Sequence, residues 1–435
     1  MGQSLLLCGF FYTLLRTILS CTDFLLNTSL PDTVISARTM DYSVDLQTSV
    51  EVIPQHTIFH DLPVYKCPDC PNVQWSNTYG FLAFNMFGLN VASDGMNEKG
   101  LSAAWLYLYA TRYPSIRAEE RTASWSHVPN GTRPIITSLC SYLLGTFASV
   151  RDVRNGLSDI KIAEFDVRIQ NVLFHSKKLD RVPLHVSIHD AERKTLVIEF
   201  ISGKMVLYNH LNEVLTNDPP LDEQIALEEE HFNEDKTLPG GYSSIARYQR
   251  VFRLNQLVRM GYSVLTNASY LQGTTEQIAV SMAYHILNTV VLPPIEIKTA
   301  TQWTIIRDHK RRKVYFQSTQ NQVPRLVDLY AIDFQNPSSR GMIPITAGTW
   351  YQNVTSLLQD PANLAHTLDL PPRSHVASEL NDSISFQTAS HSSKSAVFSM
   401  QFFIASICAA GAMGSMCTLL FLRAYYRRAM YIPIA

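Results

Sequence analysis

The chain has no surplus charge of either sign: its 435 residues include 36 basic side chains against 37 acidic ones, for a formal net charge of -1. That balance excludes a general attraction to nucleic acid or to anionic membranes. Glycine-rich phosphate loops, a dinucleotide fingerprint and the paired-histidine helix of metalloproteases are all missing, so phosphoryl transfer, dinucleotide redox chemistry and zinc proteolysis have no motif to rest on. No internal repeat is present. Cysteine is scarce, with seven in all. Cys8, Cys408 and Cys417 lie in apolar runs at the ends, which leaves Cys21, Cys67, Cys70 and Cys140 for the body. Cys67-Pro68-Asp69-Cys70 has the spacing of half a zinc site or of a redox pair, but no second ligand pair completes a metal site. A local disulfide is the expectation, and an oxidising compartment would favour it.

Long apolar runs are confined to the two ends. Ser4 to Leu19 is apolar apart from Thr13, Arg16 and Thr17, too short and interrupted for a membrane span, and reads as a signal-peptide core with cleavage between Ser20 and Cys21. An uncleaved anchor is one rival reading. A lipid-attachment box is another, but Ile18-Leu19-Ser20-Cys21 is a poor version of one. Val397 to Leu422 carries no charge and is long enough to cross a bilayer of about 30 Å at about 1.5 Å per residue. Arg423, Arg427 and Arg428 follow it, which puts the main body on the luminal or extracellular side. Sequons at Asn27, Asn130, Asn267, Asn353 and Asn381 agree with a glycosylated, single-pass protein of the secretory pathway.

Between these ends the pattern mixes strands and helices. Thr22 to Leu26 and Thr33 to Arg38 read as a hairpin around an Asn/Ser/Pro turn. Further strands are expected over 80–87, 101–108, 184–189, 195–200 and 205–209, and helices over 134–147, 243–260 and 275–288. Gln302 to Asp308 and Lys313 to Ser318 flank a basic turn whose charges are expected in solvent. Strands interleaved with long helices imply an α+β layered domain. The stretch from about 360 to 396 loses periodicity and reads as a stalk.

Cys21 would become an N-terminal residue on cleavage. A thiol there can combine nucleophile and base, because an α-amino group has a pKa near 7.7 to 8.0 and can accept the thiol proton at neutral pH. Such a site also needs a cation near the sulfur, a carboxylate that orients the amine, and donors for an oxyanion. Taken singly, an Arg or Asp in a strand is more often a surface or ion-pair residue, and Asn217 before Asp218-Pro219 could merely shape a turn.

Cys21-Thr22-Asp23, followed by Ser36-Ala37-Arg38-Thr39-Met40-Asp41-Tyr42, resembles the opening of the choloylglycine hydrolase and penicillin V acylase family of N-terminal-nucleophile hydrolases. Asp94-Gly95-Met96-Asn97-Glu98-Lys99-Gly100-Leu101, Val214-Leu215-Thr216-Asn217-Asp218-Pro219, and Leu238-Pro239-Gly240 through Ser243-Ser244-Ile245-Ala246-Arg247 resemble its later motifs, in order. The resemblance implies a four-layer αββα sandwich over about 21–359, no cofactor, and a small-molecule N-acyl amide as substrate. It implies Cys21 as nucleophile, Arg38 near the sulfur, and Asp41 holding the amine or thiol. Asn217 would donate to the oxyanion, Tyr107 would offer a backbone N–H and an aromatic wall, and Arg247 would complete the polar network. Family members act on conjugated bile acids, penicillins and acyl homoserine lactones, and distant ones on lipid amides. They often form tetramers, so a homo-oligomer is also expected. The order predicted is signal peptide (1–20), amidohydrolase domain (21–359), stalk (360–396), transmembrane helix (397–422) and tail (423–435). The rival from another class is an inactive surface receptor on the same fold. Trp105, Tyr107, Tyr109 and Tyr113 could line an apolar pocket, and the alternating positions 105, 107 and 109 fit core packing equally.

Overall fold

A computed structural model describes residues 21–356, apart from 31, 72, 90, 118–132, 167–181, 210–212, 235–236, 266–272 and 295–298. The expected signal peptide, stalk, transmembrane helix and tail lie outside the described residues, as do the sequons at Asn130, Asn267 and Asn381. Among the described residues no helix is long and apolar enough to cross a membrane. Strands and helices are numbered in chain order.

Two antiparallel sheets dominate. The first has six strands in the order β14 (Val214–Leu215), β1 (Thr22–Leu25), β2 (Ile35–Tyr42), β15 (Ala300–Asp308), β16 (Lys313–Ser318) and β17 (Arg325–Asp328). The second has eight, in the order β13 (Lys204–Tyr208), β12 (Thr195–Ile201), β11 (Leu184–His189), β8 (Ser102–Tyr107), β7 (Ala92–Asn97), β6 (Phe81–Asn85), β3 (Ser49–Ile53) and β18 (Gly341–Pro344). Two small ladders, β4 (Ile58–His60) with β5 (Gln74–Ser76) and β9 (Ile135–Ile136) with β10 (Lys161–Ile162), add Phe59, Trp75, Ile136 and Ile162 to a core that includes Ala103 and Trp105 of the second sheet. The helices are α1 (Leu139–Thr146), α2 (Val150–Gly156), α3 (Leu221–Glu234), α4 (Ser244–Leu265) and α5 (Thr275–Asn288).

Strand alternation decides which side chains meet which layer. Arg38 reaches Ser93 and Asp94 of the second sheet, so Ser36, Arg38 and Met40 face that sheet. Ile35 and Ala37 therefore face the helices, and α5 packs on β2 and β15 while α4 packs on β1 and β14. On the second sheet Ala104 and Leu106 join the core between the sheets, and Ala103 and Trp105 join a separate core with Leu139, Leu143 and Leu144 of α1. The order is thus helices, sheet, sheet, helix. In the middle, Phe84 packs 5.1 Å from Trp303 and 5.7 Å from Phe316, centroid to centroid. Fully burying side chains of this size contributes roughly 1.5–3 kcal/mol each.

Most predicted elements are present with shifted ends. Thr274 caps α5 through a complete capping box with Gln277, as the Thr-x-x-Gln spacing permits. The helix expected over 134–147 is shorter, because Ile135 and Ile136 form a strand paired with Lys161 and Ile162. The turn after β15 is also not wholly solvated. His309 is buried, hydrogen-bonded to the Gly100 carbonyl at 2.9 Å and to the Ser36 hydroxyl at 2.8 Å. Gly100, at φ +81°, leaves no room for a Cβ beside the His309 carbonyl. Cys67 and Cys70 form the expected disulfide.

Candidate active site

Cys21 precedes β1 directly, and the residue is only 5 % exposed. It lies 3.8 Å from the Met40 sulfur, 3.8 Å from Arg38 Nη2 and 3.9 Å from the Asp41 carbonyl. In this chain the Cys21 nitrogen is an amide, since Ser20 precedes it. Burial pushes the thiol above its ordinary value; the charge of Arg38 pulls it back, and that of Asp41 adds to the rise.

Arg38 is placed by an interruption in the second sheet. The register pairs Tyr107 with Leu184, and the next bond runs from the Leu108 N–H to the Pro183 carbonyl. Alternation along an antiparallel ladder then turns the N–H and C=O of Trp105 and Tyr107 away from β11, toward β7. β7 pairs with β8 only as far as Asp94 opposite Ala104. Beyond that point the strands part, and Arg38 fills the opening: Nη1 donates to the Ser93 carbonyl at 3.2 Å and Nη2 to the Trp105 carbonyl. Nη1 also donates to Asp94 Oδ2 at 2.8 Å. Burial works against the Arg38 charge, but Cys21, Asp94 and Asp23 hold its pKa above the ordinary value.

Arg247, one turn into α4, ties four segments together. Nη1 donates to the Cys21 carbonyl at 2.9 Å and to the Thr22 hydroxyl, and lies 3.7 Å from Asp41 Oδ2; Nη2 reaches Asn217 Oδ1 at 3.4 Å. The Asn217 amide donates to the Tyr107 carbonyl at 2.9 Å. Asp41 accepts from Thr301 at 2.6 Å and Thr39 at 3.1 Å, while burial, outweighing Arg247 and those hydroxyls, raises its pKa to about 6. The structure therefore brings Cys21, Arg38, Asp41, Tyr107, Asn217 and Arg247 to one place.

That place opens into an apolar cavity. Met40, Tyr42, Leu46, Leu62, Met86, Phe87, Leu89, Val91, Trp105, Tyr107, Phe165, Val182 and Leu184 line it, with Cys21, Asp41 and Ser93 on its walls. Of the four aromatics, Trp105 and Tyr107 belong to the wall, whereas Tyr109 lies past the end of β8 and is 57 % exposed, and Tyr113 packs on Phe200 with ring centroids 4.6 Å apart.

The sequence reading missed a buried polar group beside the site. Arg307 grips Asp94 with Nε on Oδ1 at 2.9 Å and Nη2 on Oδ2, and its Nη1 lies 3.4 Å from Asp23 Oδ2 and 2.9 Å from the Ser36 hydroxyl. His189 and Ser187 meet Asp23 Oδ1 at 2.5 and 2.8 Å. Burial opposes the Asp23 charge, yet His189, Arg307 and Ser187 hold its pKa well below the carboxylate range. Asp23 and Asp94 lie inside the recognised motifs. A signal for Ser187 and His189 was present in β11, where His185, Ser187 and His189 alternate with Leu184, Val186 and Ile188.

A family model for linear amide C–N hydrolases, choloylglycine hydrolase family, matches residues 21–340, beginning at Cys21. A penicillin V acylase from Pectobacterium atrosepticum is 26 % identical over 330 residues, covering 73 % of this chain and 82 % of the relative. A bile salt hydrolase/transferase from Clostridium perfringens is 22 % identical over 324 residues, covering 67 % of this chain and 87 % of the relative. The solved penicillin V acylase of Agrobacterium tumefaciens shares the fold with a TM-score of 0.56 at 23 % identity, over 72 % of this chain and 88 % of that one. The chain belongs to the choloylglycine hydrolase family of linear amide C–N hydrolases, and it is an amidohydrolase.

Proposed function

We propose that this enzyme cleaves the amide of an N-acyl substrate with an apolar acyl group, through a thioester on Cys21. The observation that carries the reading is a buried Cys21 sulfur, 3.8 Å from an arginine, on the wall of a cavity lined almost wholly by apolar side chains. Once the bond before Cys21 is cut, its own α-amine takes the thiol proton. The sulfur attacks the amide carbon, and the C–N bond breaks as the leaving amine takes the proton. Water then hydrolyses the thioester and restores the thiol. Arg38 favours the thiolate. Asn217 and the Tyr107 N–H serve the oxyanion, the Asn217 amide exchanging its Tyr107 acceptor for the charged oxygen. Asp41, held by the Thr39 and Thr301 hydroxyls, orients the Cys21 amine.

The names of the relatives make penicillin V and bile salts the first candidates to assay. Under the same proposal residues 1–20 are removed in the secretory pathway and 397–422 holds the domain to a membrane. The test combines N-terminal sequencing of the mature protein with hydrolysis of a series of N-acyl-4-nitroanilides by wild type and Cys21→Ala. A chain beginning at Cys21, and activity lost by at least about a thousandfold in Cys21→Ala, is the expected result. A blocked or longer N-terminus in active protein overturns the mechanism.

A further inference from the structure

Arg38 and Asp94 by themselves form a neutral ion pair, and a neutral pair does little for a thiolate. If both Asp94 oxygens faced Arg38, the two would lock as a bidentate pair and draw the guanidinium away from the sulfur. Arg307 prevents this geometry. It takes Asp94 Oδ1 entirely with Nε at 2.9 Å and shares Oδ2, so that Arg38 keeps one bond to the carboxylate, at 2.8 Å, and directs its other terminal nitrogen to Trp105 and Cys21. All three charged side chains are fully buried, where charges are weakly screened. Asp23, on the far side of Arg307, offsets part of this added positive charge.

We propose that Arg307 is a positioning residue for amide hydrolysis: it grips Asp94 from β15, and so fixes the Arg38 guanidinium beside the Cys21 sulfur and keeps it from being neutralised. This rests on the reading of Cys21 as nucleophile. Nothing in the motif pattern singles out Arg307, which stands at the end of a strand far along the chain from the other members.

The experiment follows the rate of Cys21 alkylation by iodoacetamide against pH in the mature protein, with the labelled peptide identified by mass, alongside kcat and KM on a medium-chain N-acyl-4-nitroanilide. Arg307→Gln is expected to raise the alkylation midpoint by about one pH unit, a tenfold loss of thiolate at a given pH, and to lower kcat about tenfold with KM changed less than about threefold. Arg307→Lys keeps the charge without the fork, so its midpoint stays near wild type while kcat remains reduced. Asp23→Asn removes a negative charge and moves the midpoint down. A merely structural role predicts losses in the same direction for Arg307→Gln and Asp23→Asn, and that result overturns the proposal, as does an unmoved midpoint in Arg307→Gln. Should Arg307→Gln not fold, Arg307→Lys and Asp23→Asn decide between them: wild-type values in both overturn it. If Cys21 of the mature wild type is not alkylated, or Cys21→Ala keeps wild-type turnover, the nucleophile reading fails instead, and the two failures are distinguishable.

Discussion

The space between the two sheets is filled in two different ways, and the border runs along single strands. On β15, Trp303 and Ile305 join the apolar core, and two residues further on Arg307 joins the ions; on β2, Met40 and Arg38 divide in the same way. The apolar part, around Phe84, Trp303 and Phe316, is held by size and shape. The other part, Asp23, Arg38, Asp94, Arg307 and His189, is held by direction, because each group needs a specific partner to offset the cost of leaving water. Cys21 sits on the border, 3.8 Å from a sulfur of one part and 3.8 Å from a guanidinium of the other. A filled core could be repacked with modest loss; an ion cluster cannot lose one member without stranding another.

The strongest way to break the contrast is Asp94→Ala, which leaves Arg38 and Arg307 without their shared carboxylate. It is expected to cost about 3–5 kcal/mol in urea unfolding and to abolish turnover. Phe84→Ala is expected to cost about 3–4 kcal/mol by opening a cavity, yet to leave the pH midpoint of Cys21 alkylation where it was; a shifted midpoint would show that the two parts are not separable. A smaller net effect arises where two buried groups oppose each other. Asp41, raised to about 6, contributes stability that is full below about 3.9 and is lost as pH rises through about 6. His309, driven down to about 3 by burial and then by His189, contributes stability that is full above about 6.5 and is lost as pH falls through about 3. Between about pH 4 and about pH 6 the two trends run against each other. His309→Gln should therefore make stability fall with rising pH in that window, and Asp41→Asn should make it rise; equal slopes in the two variants would refute the assignment. Smallest of all, Ile305→Val should cost about 0.5–1.5 kcal/mol and change no kinetic constant.

The apolar part was legible in the sequence, and the charged part mostly was not. The hairpin from β1 to β2, the pair β15 and β16, and α5 each carry local periodicity that survives in the structure. The cluster of Cys21, Arg38, Asp41, Asn217 and Arg247 was legible only through its motifs, since no spacing rule links Cys21 to a helix 226 residues away. Arg307 escaped because it shares its strand face with the apolar Trp303 and Ile305, so that alternation does not mark it, and His189 escaped for a different physical reason. Alternation of polar and apolar residues reads the same whether the polar face meets water or meets the polar face of a second sheet. His185, Ser187 and His189 could pass for a solvent-facing row, yet all three are buried. Only the packing of one sheet on the other brings Asp23 to His189 and Arg307 to Asp94.

The gap where β7 and β8 part has a consequence for how such an enzyme can change over generations. Two of the acceptors that seat Arg38 are main-chain oxygens, those of Ser93 and Trp105, and both of these residues also line the apolar cavity. Their side chains can be exchanged without deleting the oxygens. Substitutions that reshape the cavity therefore need not remove these seats for the cation, so selectivity is free to drift while the cluster around Cys21 stays in register.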